Sequence, residues 1–517
     1  MKAKVIFHEE NRKDISFLRI TPAEFRKAVK SFLASLPEGK ERRAEAILEM
    51  LRKKDSCLVS ALFNLAPIPE KEINRYQFHE GDPALAAMAR RCLAQAFVSA
   101  KGMSHAVDSA EFRKAIDSAN LAERVQKFGE YMHKTWEMKK EELRSVFGSR
   151  LDASRIKRIA LPGAMGGSAI GAQVVKMLLA NLGFQTELTV LPHYPSEKYP
   201  LHPGDLVVIY SYSGNTEEAL LWLETKDAIP PDVQVIGFAT GGRLEEICRE
   251  KGYPFIEIPG KTFGLVQPRE HLSVSIVLVL GLLGYTRLAW RNDGGQTTFF
   301  DIDKWWPRIE ATTLKLTEFA NESYNVDLPF PENIAKQAAL FLNWGTTDPQ
   351  KVKNIANVCD PVLWVSTCYE PIARLLESQF GECVEHPASA KVMPEDLHNE
   401  QEAYVEQWME SVWGVSSSPC RNVFLRFKGP LDGRLAIRAD KVFEDFLKGA
   451  PRIDFIIRDY GPDFPMLGEL EALLFCDLVR AFASVFRGVT PHYVHSMNYN
   501  KYYMAGVPGG PGIKGGF

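Results

Sequence analysis

The chain has 517 residues, of which 45% are hydrophobic and 25% are charged, and its formal net charge is −3. This length and composition are typical of a globular protein with two or three domains and sizeable cores. The small net charge excludes the strong positive field that attracts nucleic acid or an anionic membrane surface. Any anionic ligand must therefore be bound by a local site.

The cysteines and the first residues bear on where the protein works. The eight cysteines have neither CxxC pairing nor the spacing of a zinc site, so we expect reduced thiols and no metal. The opening sequence MKAKVIFHEENRKD becomes charged before an apolar signal core can form. We therefore predict an unprocessed N-terminus and a cytoplasmic location.

Residues 1–119 form a charged, mainly helical N-terminal extension in this interpretation. The stretch TPAEF is typical of a helix start, because Thr21 can cap the helix, Pro22 suits its first position and Glu24 can complete a capping box. The extension contains no motif that carries chemistry. It is expected to serve a structural or interaction role.

Residues 120–325 contain the first alternation of strands and helices. A long amphipathic helix begins near Asn120, and short β-branched runs then alternate with helices of about ten residues. The predicted strands lie in the runs RIALPG, TELTVL, DLVVIY, VQVIGFAT and PFIEIP. This alternation predicts right-handed βαβ units and a mostly parallel sheet covered by helices on both faces.

Two stretches of this first region need a separate interpretation. The apolar run LSVSIVLVLGLLGY from Leu272 is shorter than the ~20 residues that a membrane span requires, so a buried helix is favoured over a span. The stretch RNDGGQTTFFDIDKWWPRIEATTLKLTEFANESY is interpreted as a linker followed by a packing helix.

Residues 326–505 repeat the alternation in the runs DPVLWVST, NVFLRFKG and RIDFIIRD, with helices between and after them. Residues 506–517 are rich in Gly and Pro and are expected to form a flexible tail. The predicted fold class is therefore α/β, with two doubly wound parallel-sheet domains, the helical extension and the tail.

The stretch SYSGNTEE follows a predicted central strand and precedes a helix. Ser211, Ser213 and Thr216 would surround the N–H groups of the first helical turn, and together these donors form a cradle for an anion. The carboxyl edge of a parallel sheet is where such folds bind ligands, so we expect a phosphate monoester here. The alternative is that Ser213 or Asn215 caps the helix without any ligand.

The earlier stretch GAMGGSAIGA has the same position between a strand and a helix. Gly166 and Gly167 would allow close approach of the backbone to a ligand, and Ser168 adds a hydroxyl. A dinucleotide site is the competing interpretation, but Met165 stands where the second glycine of GxGxxG should be, and a P-loop lysine is missing. Glu187 precedes the next strand, whereas a ribose-binding acid should follow it.

The ordered motifs GAMGGSAIG, SYSGNTEE, VQPRE, GECVEHPASAK, HNE and TPHYVHSMNYNK resemble those of the bifunctional phosphoglucose/phosphomannose isomerase family. The resemblance covers roughly residues 120 to 505. It implies two sugar isomerase (SIS) domains and interconversion of glucose 6-phosphate or mannose 6-phosphate with fructose 6-phosphate through an enediol. It implies no cofactor.

The resemblance also implies roles for individual residues. Glu385 would be the carboxylate base, with Glu382 as the alternative, and Arg269 would stabilise the enediol charge. His398 would open the sugar ring with help from Lys501. The family pattern further implies a homodimer in which His398 is supplied by the partner chain, a hexose phosphate as substrate, and neither nucleic acid nor membrane as a partner. The alternative function is a phosphosugar-binding regulatory or assembly protein without catalysis.

Overall fold

The computed structural model divides the chain into two compact units, residues 1–102 and 103–517. The described residues are 38–39, 42, 45–48, 91, 93–99, 101–196, 200–265, 268–352, 355, 358–396, 422–447 and 450–491. Residues 93–99 of the first unit are helical, whereas the predicted helix start at Thr21 lies outside the described residues. The domain boundaries within the chain stay predictions.

The second unit alternates helices with strands along most of its length. Its helices are α1 Met103–Asp108, α2 Ala110–Ile116, α3 Leu121–Val125, α4 Phe128–Ser149, α5 Gly166–Asn181, α6 Glu217–Glu224, α7 Gly242–Lys251, α8 Leu272–Thr286, α9 Ile302–Glu322, α10 Ile334–Trp344, α11 Glu370–Gln379, α12 Arg434–Lys441 and α13 Leu467–Arg487. Its strands are β1 Arg158–Pro162, β2 Gln185–Thr186, β3 Leu188–Leu191, β4 Asp205–Tyr210, β5 Gln234–Ala239, β6 Phe255–Glu257, β7 Ala289–Asp293, β8 Gln296–Phe299, β9 Asp360–Ser366, β10 Ser389–Met393, β11 Asn422–Lys428 and β12 Arg452–Ile456.

The first main sheet has five parallel strands in the order β3-β1-β4-β5-β6. All six residues of β4 are buried, as expected for a strand with helices on both faces. Its apolar contacts continue into α6 and α7, where Trp222 and Leu244 join the core of the sheet. The predicted parallel sheet is thereby confirmed.

The second main sheet has four parallel strands in the order β10-β9-β11-β12. Its core includes Trp364, whose ring packs edge-on against Phe424 and Phe443. The sequence predicts three of these strands, but β10 lies in a segment that sequence reasoning interprets only through its resemblance. The predicted fold class, α/β with two doubly wound parallel sheets, is confirmed.

The stretch interpreted as a linker contains more structure than expected. Strands β7 and β8 form a hairpin, which joins β2 in a three-stranded antiparallel sheet. Gly294 and Gly295 connect the two strands with φ of 58° and 90°, the backbone that favours a two-residue hairpin turn. The packing helix is present as α9, so only the linker half of the prediction is wrong.

Two apolar helices form the interior of the second unit. Nearly every residue of α8 is buried, as the sequence predicts, and α8 approaches α5 so closely that a Cβ on Gly171 would lie 2.1 Å from the Ser275 hydroxyl. Helix α13 is buried along most of its length and packs against α9, α10 and α11. Within the described ranges, no helix is both long and apolar enough to cross a membrane.

Candidate functional site

The candidate site lies where the chain reverses direction across the first sheet. From β1 the chain passes through α5 to β3 on one side, and from β4 it passes through α6 to β5 on the other side. Because β1 and β4 are adjacent parallel strands, their carboxyl ends open a crevice between the two departing loops. Both polar motifs of the sequence lie in these loops.

The loop after β4 is held by close backbone packing. Gly214 has φ of 69°, and a Cβ at this position would lie 1.8 Å from the Gly241 carbonyl oxygen. The Gly214 carbonyl accepts a 2.9 Å hydrogen bond from the Leu244 N–H in the first turn of α7. Only glycine fits this position, since both the backbone angle and the available space exclude a side chain.

The hydroxyls of this loop have different surroundings. Ser211 is buried, and its Oγ accepts a 3.1 Å hydrogen bond from the Gly214 N–H and lies 2.7 Å from Thr216 Oγ1. Ser213 is half-buried, and its Oγ accepts a 3.2 Å hydrogen bond from the Asn215 N–H. Ser211 therefore shapes the loop and orients Thr216, while Ser213 retains its O–H as a donor.

Helix α6 begins without a side-chain cap. Thr216 is the N-cap residue, but no side chain accepts a hydrogen bond from the first turn of the helix. Asn215 instead caps the following helix, where its Oδ1 accepts a 3.0 Å hydrogen bond from the Arg243 N–H. The alternative in which Ser213 or Asn215 caps α6 is wrong, and the N–H groups of its first turn remain suited to an anion.

The loop after β1 packs against the start of α6. Gly163 has φ of 64°, and a Cβ there would lie 2.3 Å from the Glu218 carbonyl oxygen. Helix α5 also begins without a side-chain cap. Its first turn contains the exposed Gly166 and the buried Gly167 and Ser168. The structure thus brings the two predicted phosphate-binding stretches together at one crevice.

The residues beside Arg269 are firmly anchored. Arg269 lies in a 3₁₀ turn, Pro268–His271, that packs against α5, and its side chain is outside the described set. Glu270 is buried and accepts two 2.8 Å hydrogen bonds from Arg124, one from Nε and one from Nη2. His271 is fully buried, with its ring 5.7 Å from Tyr210 and 4.9 Å from Tyr212 between centroids.

Glu385 has an unusual backbone conformation. It follows a single π-turn, Phe380–Val384, at the end of α11, and it has φ of 52°. Left-handed backbone is uncommon for residues other than glycine, and π-turns occur often at functional sites. The side chain is half-buried. Its left-handed backbone therefore distinguishes Glu385 from Glu382, the other acid of this segment.

Helix α13 holds the turn that precedes Glu385. Ser484 Oγ donates a 3.0 Å hydrogen bond to the Cys383 carbonyl, and Arg480 Nη1 lies 3.5 Å from Cys383 Sγ. Burial lowers the pKa of Arg480, but Asp477, Cys383 and Glu270 outweigh burial and raise it, so the guanidinium stays charged. Arg480 thus places a buried positive charge beside the turn that precedes Glu385.

Helix α5 of the first sheet contacts helix α11, which leads into the turn before Glu385. Asn181, the last residue of α5, donates a 3.5 Å hydrogen bond to the carbonyl of Cys368, just before α11 begins. The two helices also pack along their sides. The C-terminal end of α5 therefore lies beside the N-terminal end of α11.

Other candidates lie outside this arrangement or were missed. His398 and Lys501 lie outside the described residues. Sequence reasoning missed Arg124, Glu270 and Arg480. The position of Glu270 directly after Arg269 was the signal that could have indicated the pair of Arg124 with Glu270. In the part of the chain that the structure describes, there is no cluster of three or more His, Cys, Asp or Glu suited to a metal ion.

The burial of His386 predicts that acid destabilises the turn at Glu385. Its Nε2 lies 2.6 Å from the Cys359 carbonyl oxygen, and burial lowers its pKa below the ordinary value of 6.5. Below about pH 6.5 the imidazole of His386 is protonated in the unfolded chain but stays neutral over a wider pH range in the folded chain. The free energy of unfolding should therefore fall as the pH drops through that value.

The test is urea unfolding between about pH 5 and pH 8. His386→Gln, whose amide can still donate to the Cys359 carbonyl, should show a smaller loss of stability at the acid end. An identical acid loss in both proteins would contradict the assignment to His386.

The fold is that of the sugar isomerase class. A solved structure assigned as a tagatose-6-phosphate ketose/aldose isomerase from Clostridium novyi NT matches with a TM-score of 0.51 at 12% identity, covering 74% of this chain and 93% of that chain. A hypothetical protein from Thermus thermophilus matches with a TM-score of 0.50 at 15% identity, covering 76% of this chain and 92% of that chain.

The chain is also similar in sequence to a bifunctional phosphoglucose/phosphomannose isomerase from Caldicellulosiruptor bescii. The two are 29% identical over 285 residues, which are 54% of this chain and 70% of the relative. No family model matches the chain. Two further relatives carry the same description, and together these relatives confirm the resemblance to the bifunctional phosphoglucose/phosphomannose isomerase family that the motifs indicate.

Proposed function

We propose that this protein is an aldose–ketose isomerase that interconverts hexose 6-phosphates. Glucose 6-phosphate or mannose 6-phosphate would be converted to fructose 6-phosphate through an enediol intermediate. The observation that carries the proposal is the pair of glycine- and hydroxyl-containing loops that open onto one crevice, each leading into a helix without a side-chain cap. The sequence similarity to sugar phosphate isomerases supports the same chemistry.

In this proposal the phosphate binds at the crevice and fixes the tail of the sugar. Ser213, Thr216 and the first-turn N–H groups of α5 and α6 donate to its oxygens, and the helix dipoles favour its negative charge. Holding the tail converts proton transfer at the other end of the sugar into a step within one complex, which can contribute several kcal/mol.

The proton transfer is assigned to Glu385, which removes the proton from C2 of the aldose and returns it to C1. Arg269 stabilises the negative charge that develops on the enediol oxygens. His398 of the partner subunit donates a proton to the ring oxygen, with Lys501 assisting. These roles make the active form a homodimer in the proposal.

The direct test is turnover of purified protein with fructose 6-phosphate, glucose 6-phosphate and mannose 6-phosphate. Conversion between the ketose and at least one aldose would support the isomerase. Binding of these sugars without any turnover would instead support the regulatory or assembly protein. The absence of both binding and turnover would refute the proposed site itself.

The hydroxyl donors can be tested separately from the acid and base. Ser213→Ala combined with Thr216→Val should lower kcat/KM by about 10²-fold, since a hydrogen bond to a charged group contributes about 1.5–3 kcal/mol. Most of the loss should appear in KM, because both the substrate and the transition state carry the phosphate.

Asn215→Ala is the matched control in the same loop. Asn215 is exposed, and its amide oxygen caps α7, so this change should lower the melting temperature while KM stays nearly constant. Equal KM values in the double variant and in Asn215→Ala would count against the proposed cradle.

A further inference from the structure

The second sheet repeats the design of the first. From β9 the chain passes through α11 to β10 on one side, and from β11 it passes through α12 to β12 on the other side. Strands β9 and β11 are adjacent and parallel, as β1 and β4 are. The second sheet therefore has its own crevice between two carboxyl ends, the kind of place where α/β sheets bind ligands.

A carboxylate of the chain itself fills this second crevice. Asp432 is buried, with 4% of its surface exposed. Its Oδ1 accepts a 2.5 Å hydrogen bond from the hydroxyl of Ser366, the last residue of β9. Its Oδ2 accepts a 2.7 Å hydrogen bond from the N–H of Gly429, the first residue after β11. The carboxylate thus bridges the carboxyl ends of the two central strands.

The donors around Asp432 are those expected of an anion site. A hydroxyl at one strand end and a backbone N–H at the next are groups that bind phosphate oxygens. The turn that follows β9 ends at Tyr369 and packs closely against the loop after β11. A Cβ on Gly429 would lie 2.2 Å from the Tyr369 hydroxyl, so this position again has no room for a side chain.

The loop that follows β11 lacks the hydroxyls of its counterpart. After β4 the sequence is Ser211 to Thr216, with three serine or threonine hydroxyls, whereas after β11 it reads Gly-Pro-Leu-Asp-Gly from Gly429 to Gly433. A phosphate entering the second crevice would meet the negative charge of Asp432 in place of donors. This crevice is consequently closed to anionic ligands.

We propose that the crevice between β9 and β11 is a second anion-binding site in which the side chain of Asp432 takes the place of a bound anion. The protein accordingly binds one phosphate per chain, at the crevice between β1 and β4. Removal of the carboxylate would open the second crevice to small anions such as acetate, formate or inorganic phosphate. The assignment of Asp432 as the occupant of the second crevice rests on its hydrogen bonds to Ser366 and Gly429. It does not depend on isomerase activity.

The test is rescue of stability by small anions. Asp432→Gly and Asp432→Ser remove the carboxylate and should lower the melting temperature by about 2–6 °C. Sodium acetate or phosphate at about 100 mM should then restore at least half of that loss, compared with sodium chloride at equal ionic strength, since a ligand that binds only the folded chain stabilises it. If either variant is insoluble without these anions, their presence during refolding should recover folded protein.

Asp432→Asn is the matched control, because its amide fills the same space. It should show no specific response to acetate or phosphate. The proposal is overturned if the Gly, Ser and Asn variants respond equally to the anions, or if none of them responds.

Binding stoichiometry separates this proposal from the proposed function. In calorimetry, inorganic phosphate should bind once per wild-type chain and should lose that site in the Ser213→Ala/Thr216→Val variant. Adding Asp432→Gly to that variant should restore one phosphate. If phosphate does not bind to the wild-type chain, the site between β1 and β4 is refuted. If adding Asp432→Gly does not restore phosphate binding, the site between β9 and β11 is refuted.

Discussion

Glu385→Gln should lower kcat for conversion of fructose 6-phosphate by about 10²–10⁴-fold, while the dissociation constant for the sugar phosphate changes by less than about threefold. The amide keeps the size of the side chain but cannot accept the proton, and general base catalysis typically contributes a factor of this order. Steady-state kinetics and calorimetric binding would measure the two quantities on the same preparations.

Glu382→Gln provides the comparison, because this residue is the alternative base on the same turn. Glu382 lies within the π-turn, whereas Glu385 is the residue that has left-handed backbone at its end. A large loss of kcat in Glu382→Gln with normal turnover in Glu385→Gln would reverse the assignment. Normal turnover in both variants would exclude the whole turn from the proton transfer.

Gly214→Ala should destabilise the protein by several kcal/mol and abolish binding of sugar phosphates. The added Cβ would combine an unfavourable backbone angle with a clash at 1.8 Å from the Gly241 carbonyl oxygen. The loop that carries Ser213 would have to move away from α7, and its hydroxyls would move with it. Urea unfolding and calorimetric titration with fructose 6-phosphate would measure both effects.

Gly252→Ala separates the clash from the backbone angle. Gly252 has φ of 70°, nearly the same as Gly214, but nothing lies within 4 Å of the position that its Cβ would occupy. This variant should cost only about 1 kcal/mol, the usual effect of a side chain in left-handed backbone. Similar losses in the two variants would show that the tight packing at Gly241 has no special importance.

Much of the first crevice could be predicted from the sequence because its signals are local. Each polar stretch directly follows a mostly apolar strand and directly precedes a helix, so its place at the carboxyl edge follows from chain order alone. The different roles of Ser211, which holds the loop, and Ser213, which keeps its O–H as a donor, could not be predicted. They depend on a hydrogen bond between Ser211 and Thr216 that only the folded loop defines.

The remainder of the candidate site depends on residues far apart in the chain. The contacts of Cys383 with Arg480 and Ser484 span 97 and 101 residues, and no local pattern announces them. The pair of Arg124 with Glu270 spans 146 residues. Asp432 was overlooked for a different reason, because an acid in a turn sequence is usually explained by turn propensity alone.

The position of Ser484 and Arg480 far downstream of the first sheet has a consequence for biosynthesis. A nascent chain that has emerged from the ribosome up to residue 290 already contains the loops after β1 and β4, the strands of the first sheet and helices α5 to α8, and domains commonly fold while translation continues. The turn at Glu385 acquires its contacts with α13 only after about two hundred further residues have been added. The anion cradle can therefore mature on the ribosome well before the group assigned to proton transfer is locked in place.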